Sequence, residues 1–425
     1  MMDPARIEKP RFEVADIFRA HADDHLRHGK PSRAQTKVMR HIIACRTASL
    51  GWGHRDLCGD CGLERISYNS CGDRHCPKCQ SRDRVEWIDR RMERILPVGH
   101  FHVVLTLPDL LRPLALHNQK LIYDLLFVAG SQSLMELARD PTHLGATIGI
   151  TGVLHTWTQE LLDHPHLHFI VTAGGLSLDG QQWLQAKSNG RFLVPVKVLG
   201  KLFRGKFLDG LEEARKAGKL AFRGTAADLE DPCRWATWKN TLYDKKWNTY
   251  AKRPFGGTAQ IVRYLGNYTH RVAISNHRIV AFKDGLVTFT ARDPEDPTRK
   301  RKVTLEAREF IRRFLLHVLP KGFIRIRHFG LYAGRQVALK LPVARRLLEP
   351  PVDPEVTPTP IPCAPEGTPP LPDHPKPWWE RFRDLTGVDV MLCPRCRGRM
   401  VRHGGSILPD DDRSNAPPQA ALAAS

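Results

Sequence analysis

His164-Pro-His-Leu-His-Phe-Ile-Val-Thr-Ala-Gly-Gly175 is the stretch on which the reading of this chain turns. Its aromatic and β-branched run predicts a strand, and on a strand residues two apart share a face. His166 and His168 therefore present their imidazoles side by side, while Leu167 and Phe169 point the other way. An apolar strand that opens on two imidazoles has to give them partners, because a buried polar group without one is costly. A divalent cation held by both meets that need. The third ligand stays open among Gln159, Glu160 and His270, since His164 shares the face but stands four residues from His168, too far along an extended strand.

Around this strand the pattern alternates between the two periods. Phe101 to Pro108 (FHVVLTLP) is a compact run closed by proline and predicts a buried strand, and Leu110 to Leu137 has helical periodicity. Further strands are expected at Thr147 to Leu154, Val272 to Ile274 and Arg278 to Phe282, which together imply an α+β domain with one central sheet. A Lys/Arg-rich helical insertion is expected at about 184–247. Upstream, Arg11 to Arg46 reads as helices, and the charged run after Cys79 as an amphipathic helix stopping at Pro97. Downstream, Pro350 to Pro377 holds twelve prolines and reads as an extended linker. The expected units are thus 1–97, 98–345, a linker 346–377, and a small segment 378–425 ending in a disordered tail.

Eight of the ten cysteines fall in two tight groups, and the opening MMDPARIEKPRFEVADIFR lacks the apolar core of an export signal, so metal binding is favoured over disulfides. Cys58-x2-Cys61 and Cys76-x2-Cys79, with fourteen residues between them, predict one tetrathiolate structural Zn²⁺ site. Cys45, His54, Cys71 and His75 lie beside these knuckles and offer ligands for a second zinc. Cys393-Pro-Arg-Cys396 has half a ligand set, to be completed by His403, by another knuckle in space, or not at all.

The chain has 425 residues and 65 Lys+Arg against 45 Asp+Glu, a formal charge of +20. Such a charge argues against a purely small-molecule enzyme and for a polyanionic partner, nucleic acid first. No apolar run of membrane-spanning length interrupts it, so no membrane partner is expected and a cytoplasmic location is. Arg299, Lys300, Arg301 and Lys302 form one concentrated basic stretch. Arg325 and Arg327 lie among Phe323, Phe329 and Tyr332, a combination suited to single-stranded DNA, whose bases stack on aromatic rings. Tyr264 and Tyr268 are four apart and share one helical face, flanked by Arg263, His270 and Arg271. Such a pair either packs or attacks, and nearby positive charge lowers the cost of ionising a phenol.

At these residues the chain resembles the rolling-circle transposases of the insertion sequence ninety-one family, two-tyrosine members of the histidine-hydrophobe-histidine (HUH) endonucleases. The matching segments are YNSCGDRHCPKCQ, FHVVLTLP, HPHLHFIVTAGGLS, YLGNYTHRVAISNHRI and RIRHFGLYAG, in order from about residue 40 to 335. The resemblance implies an HUH-type central antiparallel sheet with flanking helices, preceded by a small zinc-binding domain. It implies His166 and His168 as ligands of a catalytic Mg²⁺ or Mn²⁺, and Tyr264 and Tyr268 as nucleophiles that nick and rejoin single-stranded element ends through 5′-phosphotyrosine intermediates. A plasmid replication initiator or relaxase uses the same chemistry, and a non-catalytic zinc regulator would keep the tyrosines only for packing.

Overall fold

The computed structural model describes residues 10–51, 53–79, 94–187, 193–255, 272–293, 298–349 and 389–403, with single residues at 296, 377, 379, 380, 383 and 384. In chain order the first elements are helices α1 (Val14–Gly29) and α2 (Arg33–Ala44) and strands β1 (Gly53–Cys58) and β2 (Glu64–Tyr68). Ser32 starts α2 with a reciprocal capping box, its hydroxyl accepting from the Gln35 N–H while the Gln35 side chain accepts from the Ser32 N–H. Then come β3 (His100–Thr106), α3 (Arg112–His117), α4 (Gln119–Arg139), β4 (Ala146–Trp157), β5 (Asp163–Ser177) and the short β6 (Trp183–Gln185). The helical stretch expected from 184 onward contains α5 (Val196–Lys216) and α6 (Pro232–Asp244), after which the chain enters β7 (Thr249–Phe255). Three strands, β8 (Ile279–Lys283), β9 (Leu286–Arg292) and β10 (Lys300–Glu306), precede α7 (Ala307–Leu316), β11 (Ile326–Gly330) and α8 (Gly334–Leu348). The last described strand is β12 (Met400–Arg402).

The central sheet runs β11-β4-β5-β3-β7, with β6 added to the far end of β5, and every pairing is antiparallel. Its strands alternate as the pleat demands. Val103, Leu105, Leu154, Leu167, Phe169 and Val171 enter a core shared with α4 and α5. Phe169 occupies the space over two glycines: a Cβ on Gly152, its cross-strand partner, would stand 2.7 Å from the ring, and one on Gly130 of α4 would stand 2.8 Å from it. The ring thereby fills the gap left by a strand glycine and lets α4 approach the sheet closely. α4 has the length and apolarity of a membrane span, yet Ile122, Tyr123, Leu126 and Phe127 are buried in this core.

A second core joins the amino-terminal helices to a later part of the chain. Val14, Ile17 and Phe18 of α1 and Val38, Met39 and Ile42 of α2 pack with Phe289 of β9 and with Phe310 and Phe314 of α7; the Phe18 and Phe314 rings meet edge to face at 5.3 Å. Val272 to Ile274, expected as a strand, is irregular: Ala273 and Ile274 are buried in this core, and pairing begins only at Ile279. A three-stranded sheet β12-β1-β2 makes a third unit, in which Cys58 pairs with Met400.

Asp163, at the start of β5, is buried, and neither carboxylate oxygen has a hydrogen-bond partner among the described residues. Burial lifts its pKa to about 7, opposed by the Arg112 charge. The ordinary value is near 4, so between about pH 4 and 7 the unfolded chain ionises first and stability falls as pH rises, becoming constant above 7. Asp163→Asn should therefore melt higher than the parent at pH 8, by on the order of 2 kcal/mol, with the difference closing toward pH 4. Thermal melts across pH that run parallel would show the carboxyl to be ionised at no cost.

Candidate active site and thiolate clusters

The face of the central sheet opposite α4 carries the histidines. His166 and His168 lie on β5 and share this face, and His155 of β4 stands directly across from His166. One ring nitrogen from each of the three lies within 4.8 Å of the others. His166 Nδ1 is 2.7 Å from the His164 carbonyl oxygen, and because a carbonyl only accepts, Nδ1 carries the hydrogen and Nε2 keeps its lone pair. His168 Nδ1 is 2.8 Å from Nε2 of His102, a buried residue of β3 whose ring lies parallel to that of His168. Both imidazoles are thus oriented through one nitrogen, the arrangement that commonly fixes metal-binding histidines. Burial pushes His102 down to about 4, with Lys252 and His166 adding to the effect, so it is neutral at pH 7.

His155 is not among the third-ligand candidates that the sequence offers. Trp157 pairs with Asp163, and from there an even register would set His155 against Pro165. An irregularity between Trp157 and His155 advances the pairing by one residue and brings His155 to His166. Of the candidates named from sequence, Glu160 pairs with Arg301, the Gln159 carbonyl accepts from Arg278, and His270 lies outside the described residues. His164 does not join the three, and its ring is 3.9 Å from the Asp109 carboxylate. Tyr264 and Tyr268 also lie outside the described residues.

The cysteine pairing expected from sequence is corrected. Cys58 and Cys61 do not meet Cys76 and Cys79. Instead Cys76 and Cys79 join Cys45 and Cys71, with Cys79 Sγ 3.4 Å from Cys45 and 3.5 Å from Cys71. Cys58 and Cys61 join Cys393 and Cys396, at 3.4 Å and 3.6 Å across the pairs. His54 and His75 belong to neither group: His54 sits 3.7 Å from Asp56, while His75 bridges Asp73 at 2.9 Å and the Leu319 N–H at 3.2 Å. In the first cluster, hydrogen bonds among the thiols, those with Cys45 foremost, push Cys79 down and Cys76 up. Four sulfurs so close, two of them fully buried, are the donor set of a closed Zn²⁺ site.

The basic residues divide. Arg327 is expected at DNA from its sequence neighbours, but it pairs with Asp124 and lies 4.3 Å from the centre of the Phe127 ring and 5.1 Å from that of Phe323. Arg325 lines a cavity with Arg74, His75, Thr156 and His317, and burial beside Arg74 pushes it down to about 10. Arg301 faces Glu160. Arg299 sits 3.3 Å from Asp296 but is largely exposed, and Lys300 and Lys302 stand exposed on the outer face of the edge strand β10 with Arg292 beside them.

Two family models match the chain: one described as "Transposase zinc-binding domain" over residues 17–107, and one described as "Putative transposase" over residues 149–338. A relative from Sinorhizobium fredii named "Putative transposase y4qJ" is 44% identical over 391 residues, 92% of this chain and 94% of the relative. The "Transposase for insertion sequence element IS801" of Pseudomonas savastanoi pv. phaseolicola is 27% identical over 412 residues, 94% of this chain and 90% of the relative. No solved structure matches. The chain belongs to the insertion sequence ninety-one family of transposases, with an amino-terminal zinc-binding domain. Its partner is accordingly DNA, its class that of DNA strand-cleaving and strand-transferring enzymes, and structural Zn²⁺ its cofactor.

Arg327→Ala removes an ion pair and two ring contacts from a half-buried position, so it should lower the melting temperature by a few degrees, about 1–2 kcal/mol. An unchanged melt would return Arg327 to the residues available for DNA.

Proposed function

We propose that this transposase nicks and rejoins single-stranded DNA at the ends of its element by tyrosine attack, driving rolling-circle transposition. The observation that carries the reading is the cluster of His155, His166 and His168 at the centre of an antiparallel sheet. A bound Mg²⁺ or Mn²⁺ would polarise the scissile phosphate and stabilise the charge that develops on it. His102 and the His164 carbonyl hold the ligand rings in place, and the β-irregularity at His155 completes the set.

Tyr264 and Tyr268 are the proposed nucleophiles. The phenol oxygen attacks phosphorus, the bond to the 3′ oxygen breaks, and the 3′ hydroxyl leaves with a proton, so one phosphoester replaces another and no external energy is needed. A second tyrosine cuts a second strand while the first stays joined. Arg299, Lys300 and Lys302 would track the phosphate backbone, in the bacterial cytoplasm at the nucleoid. Alanine at Lys300 and Lys302 should leave the melt unchanged and reduce the slope of log affinity against log salt by about 1.4 on single strands, about 0.7 for each phosphate contact. An unchanged slope would take β10 out of the interface.

The test incubates the full chain with Mn²⁺ and labelled single-stranded DNA carrying its element ends, and looks for an adduct that survives denaturation. Tyr264→Phe with Tyr268→Phe should abolish the adduct, and His155→Ala should lower its rate by about 100-fold or more. An adduct that persists in the double variant overturns the nucleophile assignment, and a normal rate with His155→Ala removes that residue from the metal set.

A further inference from the structure

The zinc-binding family model ends at residue 107, so it includes Cys58 and Cys61 but not the residues that face them. Those residues are Cys393 and Cys396, 332 and 338 positions further along from their nearest thiol partners.

The two knuckles are built alike. In the first, the Gly62 N–H donates to the Cys58 carbonyl at 3.0 Å and the Cys58 N–H to the Leu63 carbonyl at 2.9 Å. In the second, the Arg397 N–H donates to the Cys393 carbonyl at 3.0 Å and the Cys393 N–H to the Gly398 carbonyl at 2.7 Å. The fourth residue after the leading cysteine is left-handed in both, Gly62 at φ 67° and Arg397 at φ 69°. Gly398 lets the two knuckles approach closely: a Cβ there would lie 2.0 Å from an Asp60 carboxylate oxygen, and that exposed side chain would have to turn away. In the second knuckle the Arg395 and Gly398 N–H groups each donate to a cysteine sulfur at 3.4 Å, the bonds that favour thiolate over thiol.

The sulfurs fit a metal better than a disulfide. Across the two knuckles they stand 3.4 Å and 3.6 Å apart, near the edge of about 3.8 Å expected for four thiolates at 2.3 Å from a tetrahedral Zn²⁺, and far from a covalent bond of about 2.05 Å. The backbone agrees with the ligands: β12 adds to β1 antiparallel, with Cys58 opposite Met400, and the His403 N–H donates to the Arg55 carbonyl. Met400, Cys393 and Cys58 share one small core.

We propose that Cys58, Cys61, Cys393 and Cys396 form a second structural zinc site, one that fastens the carboxyl-terminal segment onto the amino-terminal zinc-binding domain. Binding takes the four sulfurs as thiolates and closes a loop of more than 330 residues. The proposal is independent of the tyrosine chemistry, and its test does not use activity.

The experiment places a site-specific protease sequence within residues 355–370 of the full chain, cleaves the folded protein, and measures zinc by mass spectrometry and the association of the two pieces by gel filtration. The expected result is two zinc ions per chain and a carboxyl-terminal piece that stays bound after cleavage and separates when a mercurial displaces the metal. Cys393→Ser with Cys396→Ser should hold one zinc and release the piece on cleavage alone. One zinc in the parent protein, a piece that leaves while both zinc ions stay, or a serine variant that keeps two would each overturn the proposal. Should the serine variant not fold, Co²⁺ substitution of the parent decides: thiolate-to-cobalt absorption for eight thiolates supports the site, and for four rejects it.

Discussion

One strand bears the rest of the molecule. On β5 the pleat sends Phe169 to one side and His168 to the other, so the hydrophobic packing of the sheet and its chemistry are linked by a single register. Phe169 lies between Gly130 of α4 and Gly152 of β4, and this close approach fixes the height of α4 over the sheet. A slip of one residue would put the imidazoles into the apolar core and the phenyl ring among the histidines. The register that buries the ring is therefore the register that brings the three histidines together.

Much of this is legible in the sequence because it is local. The two-residue period places His166 and His168 on one face without any knowledge of neighbours; Phe101 to Thr106 of FHVVLTLP lies in β3, with Leu107 and Pro108 beyond its end, and Thr147 to Leu154 lies within β4. His155 is not legible for a specific reason. Counting back evenly from the turn sets it opposite Pro165, and only the irregularity beside Trp157 moves it to His166. Periodicity carries no information about such a defect. Arg327 misleads for the opposite reason: aromatic neighbours in sequence suggest a stacking platform for bases, but Phe323 and Phe127 stack on its own guanidinium while Asp124 neutralises it.

The cysteines show a different limit. Spacing reports that a C-x-x-C pair turns two sulfurs toward one point, and it reports this correctly for Cys58-Cys61, Cys76-Cys79 and Cys393-Cys396. It says nothing of which half-sites meet. Proximity in sequence pairs the first two with each other, whereas β2 carries the chain from Cys61 back to Cys71, and Cys45 at the end of α2 completes the set with Cys76 and Cys79. Cys45 is buried in the core that α1 and α2 share with β9 and α7, so this cluster lies inside a hydrophobic unit drawn from both sides of the central sheet segment.

That placement changes how the zinc-binding region relates to the sheet that carries the three histidines. Leu161, in the turn between the two strands that carry His155, His166 and His168, is buried in the same core as Cys45, Cys76 and Cys79. His317, buried just after α7, contacts the Thr156 hydroxyl at 3.2 Å and reaches the Leu161 carbonyl at 3.0 Å through its other nitrogen, which ties the next residue of β4 to the same turn. Since the Leu161 carbonyl only accepts, His317 Nε2 carries the hydrogen and Nδ1 accepts from Thr156. Arg74, in the knuckle region between Cys71 and Cys76, meanwhile donates to the Phe323 and Pro320 carbonyls on the approach to β11. The thiolate cluster and the histidine hairpin are thus joined through packed side chains and directional hydrogen bonds. Loosening the cluster would act on the turn that sets the register of His155, so the zinc-binding region is a physical support of the candidate active site.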